Sequence, residues 1–193
     1  MTVGADGAAL TGQALLETAR LRLRPYREDD VEPLRAVFAD AYARRFYPLM
    51  GAAEKLAAWI DWNLANYARD GFGLWALELR AERGRLIGDC GLTWQQVEGR
   101  RELELGWHVL EAERGNGYAT EAARACLSYA FERALAPRVC SIVDPANLAS
   151  RAVAGRVHAA HRTFVKADRE MLLYYTARPA TERPARDLPE AAP

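Results

Sequence analysis

Along this chain the spacing of apolar residues switches between steps of two and steps of three to four, and each switch marks an element. Leu21-Arg22-Leu23-Arg24 alternates apolar and basic positions, and Pro25 removes a ladder donor directly after it, which reads as an edge strand. Val31, Leu34, Phe38, Ala41 and Tyr42 then recur at helical steps, predicting one helix with Asp29 or Asp30 as its cap. After Pro48 a second helical stripe runs through Ala53, Leu56, Ala57, Ile60, Leu64 and Tyr67, with Gly71 as its stop.

The period then changes. Segments 72–79, 86–94 and 102–109 are apolar, aromatic or alternating, and Glu82-Arg83-Gly84-Arg85 and Glu98-Gly99-Arg100 form turns between them. These read as a three-stranded antiparallel meander. A small-residue helix follows over 118–135, then a strand over 139–143, a short helix near 149–157, and two strands near Thr163 and over 171–176. Strands clustered between helices predict a mixed α+β fold rather than an alternating parallel one, with a mostly antiparallel sheet of about seven strands and about four helices.

With 193 residues, 50% of them hydrophobic, the chain is long enough for one well-buried domain and short for two. That domain is expected over 15–177, between a Gly- and Ala-rich flexible segment at 1–14 and a flexible Pro- and charge-rich tail at 178–193. Lys plus Arg and Asp plus Glu number 26 each, so no global field draws in nucleic acid or an anionic membrane. Cys90, Cys126 and Cys140 are odd in number and sit in apolar stretches, as core thiols rather than disulfide or metal ligands. No signal-peptide pattern opens the chain and no stretch has the length of a membrane span, so a cytoplasmic monomer or homodimer is expected.

The segment richest in candidate chemistry is Glu102-Leu-Glu104-Leu-Gly-Trp107-His108-Val109, followed by Arg114-Gly115-Asn116-Gly117-Tyr118-Ala119-Thr120-Glu121-Ala122. Here a predicted strand runs into a glycine turn that opens a helix. Glycines at 115 and 117 permit positive φ, and the helix N-terminus leaves free N–H donors and the positive end of its dipole beside them. A pyrophosphate fits such a turn, with Arg114 adding a charge-assisted contact. By itself the turn also reads as a plain connection between strand and helix. It is, in addition, a near miss to the dinucleotide fingerprint, with Asp144 as the ribose partner, although the third glycine is missing and a meander precedes the turn.

Arg114-x-x-Gly117-x-Ala119 resembles the acetyl-CoA loop of GNAT acetyltransferases, and Glu104-Leu-Gly-Trp107 resembles that family's fourth strand. Gly115-Asn-Gly-Tyr-Ala-Thr-Glu-Ala122, Leu16-Glu-Thr-Ala-Arg-Leu-Arg-Leu-Arg24 and Asp144-Pro-x-Asn147-x-x-Ser150 are similar to the branch of ribosomal-protein N-terminal acetyltransferases. The likeness spans 15–175. It implies the GNAT fold, whose fourth and fifth strands splay apart, and an acetyl-CoA site formed by Trp107, His108, Val109, Arg114, Gly115, Asn116, Gly117, Tyr118, Ala119 and Thr120, with Asn147 opposite. The implied activity is acetyl transfer to a primary amine in a ternary complex, with a protein or peptide N-terminus as leading acceptor. A small-molecule amine, or acyl-CoA binding without turnover, stands as the alternative.

Acetyl transfer needs a neutral amine, a held thioester and stabilisation of an oxyanion, for which an N–H near Val109 is suited. An α-amine with a pKa of about 7.7 to 8.0 is partly neutral at physiological pH, unlike a lysine near about 10.4. Glu102, Glu104 and His108 alternate onto one strand face, and Glu104 is the leading base, directly or through water. Many members of the family carry a tyrosine acid where this chain has Ala154; Ser150 then reads either as the thiolate's proton donor or as a helix cap. His158 and Ala159 also depart from the family pattern, which raises the reading without turnover. Trp59 and Trp62 lie off the stripe of the second helix, as acceptor-binding residues or a dimer contact, whereas Tyr67 lies on it as core. Arg44 and Arg45 read as solvated.

Overall fold

The computed structural model describes residues 15–179. The two terminal segments expected to be flexible lie, but for Arg178 and Pro179, outside these residues. Eight strands form one sheet in the order β1-β2-β3-β4-β5-β6-β8-β7. They are β1 (Leu16–Glu17), β2 (Leu21–Arg24), β3 (Leu74–Leu79), β4 (Leu86–Val97), β5 (Arg100–Val109), β6 (Arg138–Val143), β7 (Ala160–Lys166) and β8 (Arg169–Ala177). The helices are α1 (Val31–Val37), α2 (Ala41–Phe46), α3 (Ala53–Asp70), α4 (Tyr118–Glu132) and α5 (Leu148–Val157). The mixed α+β architecture expected from the sequence is the one observed, with one strand and one helix more.

The extra strand is β1, which pairs with β2 through Leu16 and Leu23. Segment 21–24 is therefore an interior strand between β1 and β3, and Pro25 falls just beyond its ladder. The extra helix arises because the stripe predicted over 31–42 breaks. Phe38 closes α1, and Asp40 caps a new helix by accepting the Ala43 N–H at 3.0 Å. Asp30 stands at the N-cap position of α1, one of the two residues expected there, but its side chain makes no capping bond. Asp30 instead accepts from the Arg27 N–H at 2.8 Å and from the Arg24 guanidinium at 2.6 and 2.8 Å.

Period-two alternation in β3 divides the core between the two faces of the sheet. Trp75 and Leu77 join α4 residues such as Ala123, Cys126 and Tyr129 in one cluster, while Leu74 and Ala76 join Leu34, Phe38, Leu56 and Ile60 of α1 and α3 in another. Every residue of β3 is consequently buried. All three cysteines are reduced and buried. Tyr67 is core as expected, its hydroxyl donating to the Leu74 carbonyl. At the β4–β5 turn Glu98 and Gly99 have φ of 50° and 75°, the left-handed pair a two-residue hairpin requires, and Val97 pairs with Arg100 across it. Among the described residues no helix is long and apolar enough to cross a membrane.

A buried ionic cluster ties β2 to β3. Arg24, Glu78 and Asp30 are 2%, 2% and 4% exposed, and Arg24 Nε donates to Glu78 Oε1 at 2.6 Å. The two carboxylates hold the guanidinium pKa above its ordinary value despite burial.

Candidate active site

Among the described residues β5 and β6 are the only parallel neighbours in the sheet, and their pairing is confined to Leu103 with Val139 and Glu104 with Cys140. β5 runs on to Val109 without a strand beside it on that edge. This is the splay implied by the family resemblance, between the fifth and sixth strands here because β1 precedes them. Ladder alternation decides which backbone groups face the gap. Leu110 N–H donates to Ile87 O at 2.8 Å, so Gly88 and Val109 form a non-hydrogen-bonded pair, and the Val109 N–H and C=O point away from β4 toward the gap. Ser141 partly bridges the two strands, its hydroxyl donating to Leu105 O at 2.6 Å.

A cavity of about 920 Å³ opens along this gap and reaches the start of α4. Gly115 and Gly117 have φ of 83° and 82°, the conformation their positions were expected to need. The first intrahelical bond of α4 is Glu121 N–H to Gly117 O at 3.0 Å, so the Tyr118, Ala119 and Thr120 N–H groups have no helical acceptor and stand at the positive end of the helix dipole. A Cβ on Gly115 would meet nothing within 4 Å, so the turn is open on that side. Donors, the cavity and the exposed β5 edge together fit the phosphate and amide groups of acetyl-CoA.

Arg114 does not extend a free guanidinium to that guest. Its Nη1 and Nη2 donate to both oxygens of Asp40 at 3.1 and 2.7 Å, and its Nε donates to Val109 O at 3.0 Å. The Arg114 partner holds the Asp40 carboxyl below the usual range. Arg114 thus shapes the loop, and the cations lining the cavity beside the turn are instead Arg20, Arg124 and Arg156. Arg20 donates to Asn116 O at 3.0 Å and lies over the Tyr118 ring.

A second cavity of about 270 Å³ adjoins the first, lined by Phe46, Trp59, Trp62, Thr93, Glu104 and Ile142 among others. Trp59 and Trp62 are adjacent, with ring centroids 5.3 Å apart. Glu104 accepts from Ile142 N–H at 3.3 Å, and burial pushes its carboxyl above the ordinary range against the opposing influence of Lys166, that N–H and His108. Glu102, the other carboxylate expected on this face, is instead paired with Arg138 through Nη2 and, at 3.2 Å, Nε. The two cavities meet at Tyr47, Trp107, His108, Asn147 and Ser150, which line both.

The junction residues are mutually ordered. Asn147, not Ser150, caps α5: its Oδ1 accepts the Ser150 N–H at 3.0 Å and also the Tyr42 hydroxyl at 2.9 Å. The Ser150 hydroxyl is thereby free of the capping role. Burial and the Asp89 and Glu104 carboxylates push the Tyr47 phenol up to about 12, with Ser150 acting the other way, so Tyr47 is a hydroxyl donor at neutral pH. His108 packs against Phe38, Tyr47 and Trp59 and is held from behind by Asp89, whose Oδ1 lies 2.7 Å from its Nδ1. Asp89 is fully buried, and its other oxygen accepts the Tyr26 hydroxyl at 2.7 Å.

Sequence reasoning missed Asp89, Tyr26, Tyr47, Asp40 and Arg20. Asp89 left a signal: a carboxylate inside the apolar run Leu86-Ile-Gly-Asp-Cys-Gly-Leu92 needs a buried partner. Of the family departures, Ala154 is the fully buried residue of α5. His158 ends that helix with Nε2 at 2.9 Å from Ser141 Oγ and Nδ1 at 3.2 Å from Thr176 Oγ1, so it packs between β6 and β8. Arg44 and Arg45 are exposed, and Asp144 is engaged by Arg169 and the Ala146 N–H.

A sequence profile of the acetyltransferase (GNAT) domain matches residues 20–160. The uncharacterized protein YkkB of Bacillus subtilis (strain 168) is 33% identical over 149 residues, which cover 77% of this chain and 86% of that protein. An acetyltransferase from Agrobacterium tumefaciens str. C58 superimposes with a TM-score of 0.70 at 30% identity, covering 90% of this chain and 99% of that one. RimL, a ribosomal L7/L12 α-N-protein acetyltransferase solved in complex with coenzyme A, gives a TM-score of 0.69 at 18% identity over 86% of this chain and 98% of its own. The chain belongs to the GNAT acetyltransferase family. The single parallel pair in an otherwise antiparallel sheet rules out the doubly wound fold that a dinucleotide fingerprint would need.

Proposed function

We propose that this enzyme transfers the acetyl group of acetyl-CoA to a primary amine, with a protein or peptide N-terminus as the acceptor. The observation that carries this reading is the meeting of two cavities at His108 and Ser150, one ending in free helix N–H groups and the other holding a desolvated carboxylate. Tyr118, Ala119 and Thr120 N–H groups hold the pyrophosphate, backbone of Trp107 to Val109 holds the pantetheine amides, and Asn147 flanks that arm. Acetyl-CoA supplies an activated thioester. The Val109 N–H faces the gap and stabilises negative charge on the thioester oxygen.

On the acceptor side Trp59 and Trp62 wall the cavity and Glu104 receives the ammonium, removing its first proton directly or through water. The Ser150 and Tyr47 hydroxyls, which line both cavities, hold the leaving sulfur by hydrogen bonds. An α-amine suits this site because its pKa of about 7.7 to 8.0 asks little of a base. RimL, named as an α-N-protein acetyltransferase, has the same fold, which supports the same acceptor class.

Thermal unfolding with acetyl-CoA, CoA and NAD tests the donor side. Either CoA species at a hundredfold excess over Kd should stabilise the protein by about 2.7 kcal/mol, and NAD should leave the midpoint unchanged. No response to acetyl-CoA would remove the basis of the reading. Thiol release across peptides and small amines then ranks acceptors, and faster turnover with small amines than with peptides would replace the N-terminal reading.

Glu104→Gln should lower turnover about a hundredfold while keeping the acetyl-CoA shift. It should also raise the unfolding midpoint at neutral pH. Burial raises the folded-state pKa of Glu104, so its contribution to stability is lost as pH rises through that value, and an uncharged amide escapes the loss. Unchanged turnover in this variant would take Glu104 out of the chemistry.

A further inference from the structure

The amine nitrogen loses two protons during transfer, one before attack and one after, whereas the leaving thiolate needs one. The chain lacks a tyrosine at Ala154 to supply it. We infer that His108, held by the buried Asp89, carries the second proton from the amine nitrogen to the departing sulfur. The inference rests on the two-cavity reading above.

The geometry supports it in three ways. His108 stands at the junction of the cavities, within reach of both the attacking and the leaving side. Its ring is fixed: Phe38, Tyr47 and Trp59 pack around it, with the first two ring centroids 4.9 and 4.6 Å away. Its tautomer is also set. Asp89 Oδ2 accepts the Tyr26 hydroxyl, Asp89 Oδ1 accepts Nδ1–H of His108, and among the described residues no hydrogen bond engages Nε2. Nε2 therefore carries the unengaged lone pair of a ring that lines both cavities. A buried carboxylate behind a histidine keeps the correct tautomer and stabilises the imidazolium that forms when the ring takes a proton.

The protons balance as follows. Glu104 takes the first proton from the ammonium and releases it to solvent. The neutral nitrogen then forms its bond to the thioester carbonyl carbon, and His108 Nε2 takes the second proton from that nitrogen. The C–S bond breaks with its electron pair on sulfur, and His108 Nε2–H protonates the thiolate, returning the ring to neutrality. The products are the amide, the free thiol and one proton in solution. Glu104 and His108 are catalytic residues in this scheme, and Asp89 is a positioning residue.

Two measurements on the whole protein test it. ¹⁵N-histidine spectra at neutral pH, with the His108 signals assigned by their loss in His108→Gln, should show His108 as the Nδ1–H tautomer. An Nε2–H tautomer would overturn the proposal without reference to any acceptor. Acetyl transfer to the best amine should fall about a hundredfold in kcat for His108→Gln, with the acetyl-CoA thermal shift retained, and added imidazole should restore part of the activity of His108→Ala. Asp89→Asn should lower kcat with little change in KM and move the pH profile, in which Asp89, Glu104, Tyr26 and Tyr47 are the titratable groups near the ring. Tyr26→Phe serves in its place if that variant does not fold. Turnover within twofold of the parent in His108→Gln would overturn the proposal, whereas loss of the acetyl-CoA shift in the parent would overturn the functional reading beneath it.

Discussion

Replacing Arg24 by methionine should lower folding stability by about 3–5 kcal/mol, the loss expected when one partner of a buried ion pair is removed. Arg24 donates to Glu78 at 2.6 Å and to both oxygens of Asp30, and each of the three is at most 4% exposed. Without the guanidinium, two carboxylates remain in the interior with only Arg22, 3.6 Å from Glu78, to offset them. With a urea slope near 2 kcal/mol/M, the midpoint should fall by roughly 2 M. Adding Glu78→Leu and Asp30→Asn to Arg24→Met should recover much of the loss, because the cost lies in the unpaired charges rather than in the missing pair. An unchanged midpoint in the single variant would mean that water reaches the cluster.

The second large effect is one of pH. Burial lowers the His158 pKa from 6.5 to about 4. Above pH 6.5 the ring is neutral whether the chain is folded or not. As pH falls from 6.5 toward 4 the unfolded chain takes up a proton that the folded protein refuses, so stability declines through that window. The full difference corresponds to about 3 kcal/mol. His158→Gln keeps a donor for Ser141 and removes the titration. Urea midpoints at pH 7 and pH 4.5 should therefore separate widely for the parent and less for the variant, carboxylates being common to both. Parallel pH dependence in the two proteins would refute the assignment.

Much of the fold was legible because the helices bury one stripe at helical spacing, while the central strands read as short apolar runs bounded by turn residues. The stripe of α3, the meander and the glycine-opened helix could be read from spacing alone. The break between α1 and α2 could not, since Phe38, Ala41 and Tyr42 keep helical spacing across it and only the Asp40 carboxylate, through a local cap and a distant arginine, turns the chain. The site divides in the same way. The turn that opens α4 is local, so Gly115 and Gly117 announced it. His108 and Ser150 were visible as residue types, but their roles depend on Asp89, Tyr26 and Tyr47, which reach them from other elements. Arg114 carried the family motif, yet its guanidinium belongs to Asp40, a partner 74 positions away.

Asp40 therefore has a bearing on how this enzyme can change. One carboxylate both starts the helix leading to Phe46 and Tyr47 at the smaller cavity and grips the arginine at the head of the glycine turn. On the proposed reading, the surface that chooses the amine cannot be remodelled at this point without disturbing the surface that binds the donor. Variation in acceptor choice is expected to accumulate at Trp59 and Trp62, on a helix with no such tether to the loop, and a directed search for new acceptors should randomise those two positions and leave Asp40 alone.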